Sequence, residues 1–586
     1  MSDVSVDTSE KAGRRPAPER PRLGARLEAR PDWAAAGIAL AFWAASLTPT
    51  LLPRSVWVQG GLTGVLIAIG YGLGGLILRV LRLQRERTGF WFPSDTVRRA
   101  ARIVVWAVAG VLLTLGTYLW WRSQLAQRAV VQMAPLSARS MVYMVLIAAV
   151  VLVIVLFISR LLAALFGRIL VWLWRPLGPI FSRLAVSVLV VLVGWLAFDQ
   201  LIVQGIYASV DATFKAGNDK TTPGVHKPTS TLESGGPGSL TPWDTLGVTG
   251  RDFAAGATTT SQLESFWGPT VPVTQPIRVY VGLQTAPTPE ARAQLAVKEL
   301  ERTGAFSRAV LVVGTATGTG WINPNAGSAI EYLWKGNTAF VTQQYSYLPS
   351  WIAFLTERSM SATAGRDLIA AVVDHWKTLP ADHRPRLLLF GESLGSFGAE
   401  SGLATPQLST SLAALESHSN GALFVGPTEG NPIWRQIRAG RLASSPVWRP
   451  RLSTPVVNAA NSSSEVPPMS AAFGAHSIQY LVHGSDPVSW WSMATMWWPP
   501  AWITGPTPPG VPSSVTWFPV VTWLQTAADL MAGFSTEPGF GHNYNDSFVQ
   551  GFASIASPPG WSSADTTRLA RHLDYLNQIA TQLSNS

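Results

Sequence analysis

Arg386-Leu387-Leu388-Leu389-Phe390-Gly391-Glu392-Ser393-Leu394-Gly395-Ser396-Phe397-Gly398-Ala399-Glu400 is the stretch whose reading decides the fold. An apolar run of strand length enters a Gly-x-Ser-x-Gly turn, and a helix-forming stretch leaves it. A serine placed at a sharp strand-to-helix turn is a nucleophile elbow. Its flanking glycines have a physical role, because side chains there would collide with the strand or the helix. The helix start behind the serine offers free N–H groups and a positive dipole end to a developing oxyanion. Ser393 is therefore the candidate nucleophile.

Outward from this turn, strand and helix patterns alternate. Ile277-Arg278-Val279-Tyr280-Val281 alternates like a strand, and 288–302 is a helical stretch rich in Ala, Glu and Leu. Strand-length apolar runs follow at 309–313, 338–342, 422–425 and 478–482, with helical patterns at 361–378 and 564–583. Continuous apolar runs suit strands covered on both faces. The alternation predicts a mostly parallel sheet flanked by helices over residues 276–586.

An elbow serine requires partners in the chain order Ser, then Asp or Glu, then His. Two histidines lie far enough along. His542 sits in Gly539-Phe540-Gly541-His542-Asn543-Tyr544, a glycine-rich loop suited to close approach. His572 sits on the terminal helix, where an exposed surface histidine is the ordinary reading. His542 is preferred. For the acid, Asp486 follows the apolar strand of Tyr480-Leu481-Val482-His483-Gly484-Ser485-Asp486-Pro487. Its rivals are Asp529, inside a helical pattern, and Asp546, too close to His542 to approach from another strand. His483 precedes the acid and reads as a support of the loop. The oxyanion donors expected are the N–H of Leu394 and that of Thr315, in Gly314-Thr315-Ala316-Thr317-Gly318-Thr319-Gly320-Trp321. That loop lacks the Lys-Ser/Thr of a phosphate loop and the spacing of a dinucleotide site. No metal and no organic cofactor is implied.

Composition sets the rest of the frame. The chain has 586 residues, more than one hydrophobic core usually serves. It is 47% hydrophobic and 13% charged, against roughly 25% charged in a soluble domain. That deficit points to lipid. The absence of cysteine excludes disulfides, thiolate metal sites and a cysteine nucleophile. The net charge of +10 is uneven: residues 1–183 hold 22 Lys/Arg and 8 Asp/Glu, and residues 184–586 hold 22 and 26. The larger part has no basic excess, so nucleic acid is not an expected partner.

Long apolar runs at 33–52, 57–80, 101–121, 140–167 and 184–206 each have about the 20 residues that cross a bilayer. They predict an N-terminal transmembrane bundle of about five helices within 31–207. Residues 1–30 read as a disordered basic cytoplasmic arm, 208–275 as a linker and irregular approach, and 276–586 as the catalytic domain. Lys and Arg on the N-terminal side of the odd-numbered spans number 18, from Lys11 to Arg183. The other side has Arg54, Arg122, Arg128 and Arg139. By the positive-inside rule the N-terminus is cytoplasmic. Five crossings then put the catalytic domain outside the cytoplasm. The short run 170–176 reads as interfacial, since Pro176 stops a helix. If it crosses, the topology inverts.

The segments VGTATGTGW, QQYSYLPSW, LFGESLGSFGAE, VHGSDPVSWW and GFGHNY resemble the actinobacterial membrane-associated α/β-hydrolase family, in which an N-terminal multi-helix region precedes a hydrolase domain. The resemblance covers most of the chain. It implies an α/β-hydrolase fold and maps the family's motif positions to Ser393, Asp486 and His542, but implies no substrate. The leading expectation is an esterase- or lipase-like serine hydrolase acting on a lipid or acylated envelope component. An acyltransferase using the same acyl-enzyme is the alternative, and a catalytically silent scaffold a second. Oligomeric state is not legible. Seven of the 26 tryptophans lie between acid and histidine, at 490, 491, 497, 498, 502, 517 and 523. Core packing accounts for some. A Pro-broken segment cannot bury them all on one face, so a membrane-facing lid over Ser393 is expected.

Overall fold

A computed structural model describes residues 33–88, 95–165, 168, 214–469 and 477–585. Seven strands form one sheet: β1 (Ile277–Val281), β2 (Val310–Thr315), β3 (Thr338–Gln343), β4 (Arg386–Glu392), β5 (Gly421–Val425), β6 (Val457–Ala460) and β7 (Ser477–Leu481). Their order is β1-β3-β2-β4-β5-β7-β6, and every neighbouring pair is parallel. β4, which feeds the Gly-x-Ser-x-Gly turn, is the central strand. β6 escapes a sequence reading because Val457-Asn458-Ala459-Ala460 is too short and too mild to show a pattern.

The strand residues divide by parity, as a pleat demands. Leu311, Val313, Leu387 and Leu389 enter one core with helices α5 (Pro289–Thr303), α6 (Arg358–Thr378) and α7 (Leu394–Leu403). Val310, Val312, Leu388 and Phe390 enter the other, which also receives Phe253, Leu263, Phe548, Phe552, Leu569 and Leu573. Burial on both faces is why these runs read as unbroken hydrophobic sequence. The approach segment joins this domain directly. Arg278 N–H donates to the Leu232 carbonyl at 3.2 Å, and Ser234 N–H to the Arg278 carbonyl at 2.9 Å.

The N-terminal region contains four helices among the described residues. They are α1 (Trp33–Ser46), α2 (Val56–Thr88), α3 (Asp95–Val130) and α4 over 139–165. Among the described residues two stretches are long and apolar enough to cross a membrane, Val56–Leu81 and Arg139–Leu165. The expected count of about five is thereby corrected. α1 has 14 residues, about 21 Å at 1.5 Å per residue, short of the ~30 Å hydrocarbon layer. Its apolar run continues to Leu52, but Pro49 and Pro53 cannot extend a helix. Leu51 and Leu52 instead pack with Val447, Trp490 and Trp502 of the α/β domain. The fifth run, 184–206, lies outside the described residues, as do the basic arm 1–30 and the run 170–176.

Glycines bring these helices together. A Cβ at Gly60 would lie 2.7 Å from the Ile147 Cβ, and one at Gly74 would lie 2.8 Å from the Ala35 Cα. Small residues at helix contacts suit association in lipid, where no hydrophobic force drives helices together. The pairings run α2 antiparallel to α1 and parallel to α4. The far end of α1 and the near end of α2 meet the α/β domain, and the far end of α3 bonds to the loop between them, Gln127 Nε2 donating to the Thr50 carbonyl at 3.2 Å.

Candidate active site

Ser393 stands between β4 and α7 with φ 55° and ψ −124°. Such a conformation costs a non-glycine residue about 1–3 kcal/mol and persists only when its surroundings enforce it. They do so here by hydrogen bonds. Ser393 N–H donates to the Val425 carbonyl at 2.8 Å, and Ser396 Oγ donates to the Ser393 carbonyl at 2.6 Å. Thr315 Oγ1 donates to the Gly395 carbonyl at 2.6 Å, tying the end of β2 to the start of α7. The approach is so close that a Cβ at Gly395 would lie 2.1 Å from the Thr315 carbonyl oxygen. That contact is the physical demand behind the second glycine of the motif.

Asp486 lies five residues past β7 and caps the short helix Pro487–Trp490, accepting from Val488 N–H at 2.9 Å. Its other oxygen, Oδ2, is 2.7 Å from His542 Nδ1. The Tyr544 hydroxyl donates to the same oxygen at 2.8 Å. An ionised carboxylate only accepts, so His542 carries its proton on Nδ1 and leaves Nε2 as the free acceptor. Nε2 is buried and has no hydrogen-bond partner. The ring reaches the elbow through β5. Val425 accepts the Ser393 N–H, and a Cβ at the next residue, Gly426, would lie 2.5 Å from His542 Cε1. Nucleophile and imidazole thus flank the same two-residue turn.

Burial pulls the His542 imidazole down. The Asp486 charge and hydrogen bond, with the Glu392 charge behind them, outweigh it and leave the ring above its ordinary value. Glu392, the x before the serine, is itself buried. Desolvation pushes its carboxyl up to about 7, against the opposing pull of His542 and an Asn323 hydrogen bond. His483 is pushed down by burial. It stacks on Tyr544 with centroids 4.0 Å apart, and its Nδ1 is 3.0 Å from the Gly541 carbonyl.

The rivals are placed elsewhere. His572 stands against Phe266 and Tyr332, with centroids 4.8 and 5.1 Å away. Asp546 accepts from Ser547 Oγ at 3.0 Å. Asp529 pairs with Arg54, Oδ1 to Nε at 2.8 Å, with both side chains buried. Leu394 opens α7, and Thr315 closes β2 with its side chain on the elbow. In the loop beyond, the N–H groups of Thr317, Gly318, Gly320 and Trp321 have internal partners. Tyr544 and Glu392 went unread in the sequence. Glu392 offered no signal. Among the described residues no three His, Asp or Glu side chains gather as a metal site.

Residues 277–569 match the alpha/beta-hydrolase family, and residues 47–257 match the N-terminus of that family. The first match spans the whole sheet with Ser393, Asp486 and His542; the second begins at the loop that docks α1 and α2 onto the domain. The chain belongs to the alpha/beta-hydrolase family. No curated protein and no solved structure matches it.

Proposed function

We propose that the protein is a serine hydrolase of acyl esters, anchored in a membrane with its catalytic domain outside the cytoplasm. The observation that carries this reading is the free, buried Nε2 of His542, whose opposite nitrogen meets the Asp486 carboxylate that Tyr544 also holds, and whose ring packs on Gly426, the residue after the one that accepts the Ser393 N–H. In the proposed reaction Ser393 Oγ attacks the ester carbonyl while Nε2 takes its proton. Nε2 returns that proton to the departing alcohol, and water repeats the sequence on the acyl-enzyme. Asp486 orients the ring and stabilises its charged form. The Leu394 N–H and the Thr315 N–H would hold the oxyanion, each lowering the barrier by ~3–4 kcal/mol.

The membrane part rests on helices whose apolar side chains face outward. Val142, Leu146, Val153, Phe157 and Leu161 of α4 are exposed, a surface that suits lipid and not water. The side rests on charge. The domain docks at the helix ends that hold few arginines, and two of those, Arg54 and Arg128, are buried in hydrogen bonds. α4 leads away from the domain, whereas Phe214 packs back against it.

The test is labelling of isolated membranes by a fluorophosphonate probe, with product analysis on ester substrates. Labelling of the wild type and its loss in Ser393→Ala is the expected result. Labelling that survives Ser393→Ala refutes the nucleophile. Transfer of the acyl group to an added sugar or lipid alcohol in place of water would identify the acyltransferase instead.

A further inference from the structure

Residues 487–541 separate Asp486 from His542; Glu537 lies at the far end of this segment, and its first fifty residues, 487–536, carry a single charged side chain, Asp529. That carboxylate is buried against Arg54 of the N-terminal region. The stretch 487–536 therefore presents no free charge to solvent, although it lies largely on the surface. What it presents is large and apolar: Trp497 is 61% exposed, Trp498 71%, Met531 73% and Phe534 49%. The tryptophans do not all share this role. Trp490, Trp491 and Trp502 are buried, and Trp502 packs with Leu51 and Leu52, so of 497, 498 and 502 only the first two can belong to a lid.

Three observations say what covers this surface. The first is continuity with the helices. Helix α8 (Val521–Ala532), which bears Met531, is bound to the loop joining α1 and α2. Gln525 Nε2 donates to the Thr48 carbonyl at 3.1 Å, and Leu51 N–H donates to Asp529 Oδ2 at 3.1 Å. The second is level. Trp57, 75% exposed in the first turn of α2, stands three residues from Arg54 and hence beside α8. Tryptophan gathers where hydrocarbon meets water, its ring apolar and its N–H wet. The third is the site itself. Phe534, just past α8, meets the His542 ring edge-on with centroids 4.8 Å apart, and His542 N–H donates to the Gly533 carbonyl at 2.8 Å.

We infer that the apolar surface of Met493–Trp498 and Met531–Phe534 rests in the lipid–water boundary of the same bilayer the helices enter, and that it opens the Ser393–His542 site toward acyl esters residing in that leaflet. This deepens the proposed hydrolase reading and rests on it. The substrate class it names is a membrane-resident lipid ester that slides from the leaflet past Phe534, not a soluble ester that arrives from water.

The chain has no cysteine, so Trp498→Cys creates a unique attachment point for an environment-sensitive fluorophore. In full-length protein reconstituted into phosphatidylcholine vesicles, lipids spin-labelled near the headgroup should quench this probe, and aqueous iodide should not. Quenching by iodide alone overturns the inference. So does protection of the probe from both quenchers, with disulfide cross-linking between copies of the unlabelled Trp498→Cys protein, which assigns the surface to a second chain. In kinetics, Trp497→Ser with Trp498→Ser should lower the ratio of turnover on a vesicle-embedded long-chain ester to that on a short soluble ester by about tenfold. An unchanged ratio, or a fall in both activities together with the melting temperature, overturns it. Failure of the hydrolase reading looks different: Ser393→Ala keeps its turnover while the probe result stands.

Discussion

The two halves of the molecule invert each other. In the α/β domain the large apolar side chains lie inside, two layers deep around a parallel sheet, and the strand residues are buried on both faces. In the N-terminal helices most of those of α4 point out, although Trp43, Trp120 and Met144 pack together inside, while Ser46, Gln59, Thr63 and, in the loop between helices, Arg54 are buried and hydrogen-bonded. Both patterns follow one rule, that side chains seek a medium like themselves, and the difference accords with the proposed anchoring of the helices in lipid. At their seam a third pattern appears. Arg54 and Asp529 form a buried ion pair, which is worth little as a net gain but is costly to break on one side.

The comparison also separates two buried aspartates 43 residues apart, Asp486 at the site and Asp529 at the seam, and substitutions can test that separation. The largest effect expected is at the site. Ser393→Ala and Asp486→Asn should each lower kcat by about 10⁴-fold or more, with little further loss on combination. Asp529→Asn should leave the pH profile of kcat/KM in place. A profile that moves with Asp529 and not with Asp486 would reverse the assignment of roles.

Next in size is the seam. Arg54→Ala leaves the Asp529 carboxylate, already held up by desolvation, without its cation. It should cost about 3–5 kcal/mol in denaturant unfolding of detergent-solubilised protein. The pair Arg54→Met with Asp529→Leu should recover most of that. A single variant as stable as the wild type would mean that the two halves hold together by apolar contact alone.

Smaller effects come from the groups around His542. Tyr544→Phe removes one hydrogen bond to the Asp486 carboxylate, worth ~1.5–3 kcal/mol when the acceptor is charged. Turnover should fall about tenfold or more, with KM little changed. The smallest expected effect concerns pH. The base must be neutral to take the serine proton, so activity is lost as pH falls through the His542 pKa. Because that pKa is raised, the acid limb of kcat/KM should begin above the ~6.5 of a free imidazole. Ionised Glu392 stabilises the imidazolium, so Glu392→Gln should move the limb to lower pH. Movement in the other direction would show that Glu392 acts on His542 by packing and not by charge.

Much of this was written locally in the chain. Strands sealed on both faces must be apolar at every position, and a serine pinched between crossing strand and helix must have glycines beside it. So the sheet and the Gly391–Gly395 turn were legible from residues alone, as was the order of Ser393, Asp486 and His542. What was not legible depends on contacts between residues distant in sequence. The sequence of α1 runs apolar to Leu52; Pro49 is visible as a helix stop, but only the fold shows that Leu51 and Leu52 dock against Trp490 and Trp502. Asp486, Asp529 and Asp546 are equivalent as letters. Their partners, His542, Arg54 and Ser547, set them apart. Likewise seven tryptophans in one Pro-broken segment carry no mark of burial, and tertiary packing alone divides Trp490, Trp491 and Trp502 inside from Trp497 and Trp498 outside. Periodicity and turn chemistry act over a few residues and are visible in any sequence. Pairing and burial are decided across hundreds of residues, where only the folded chain brings the partners together.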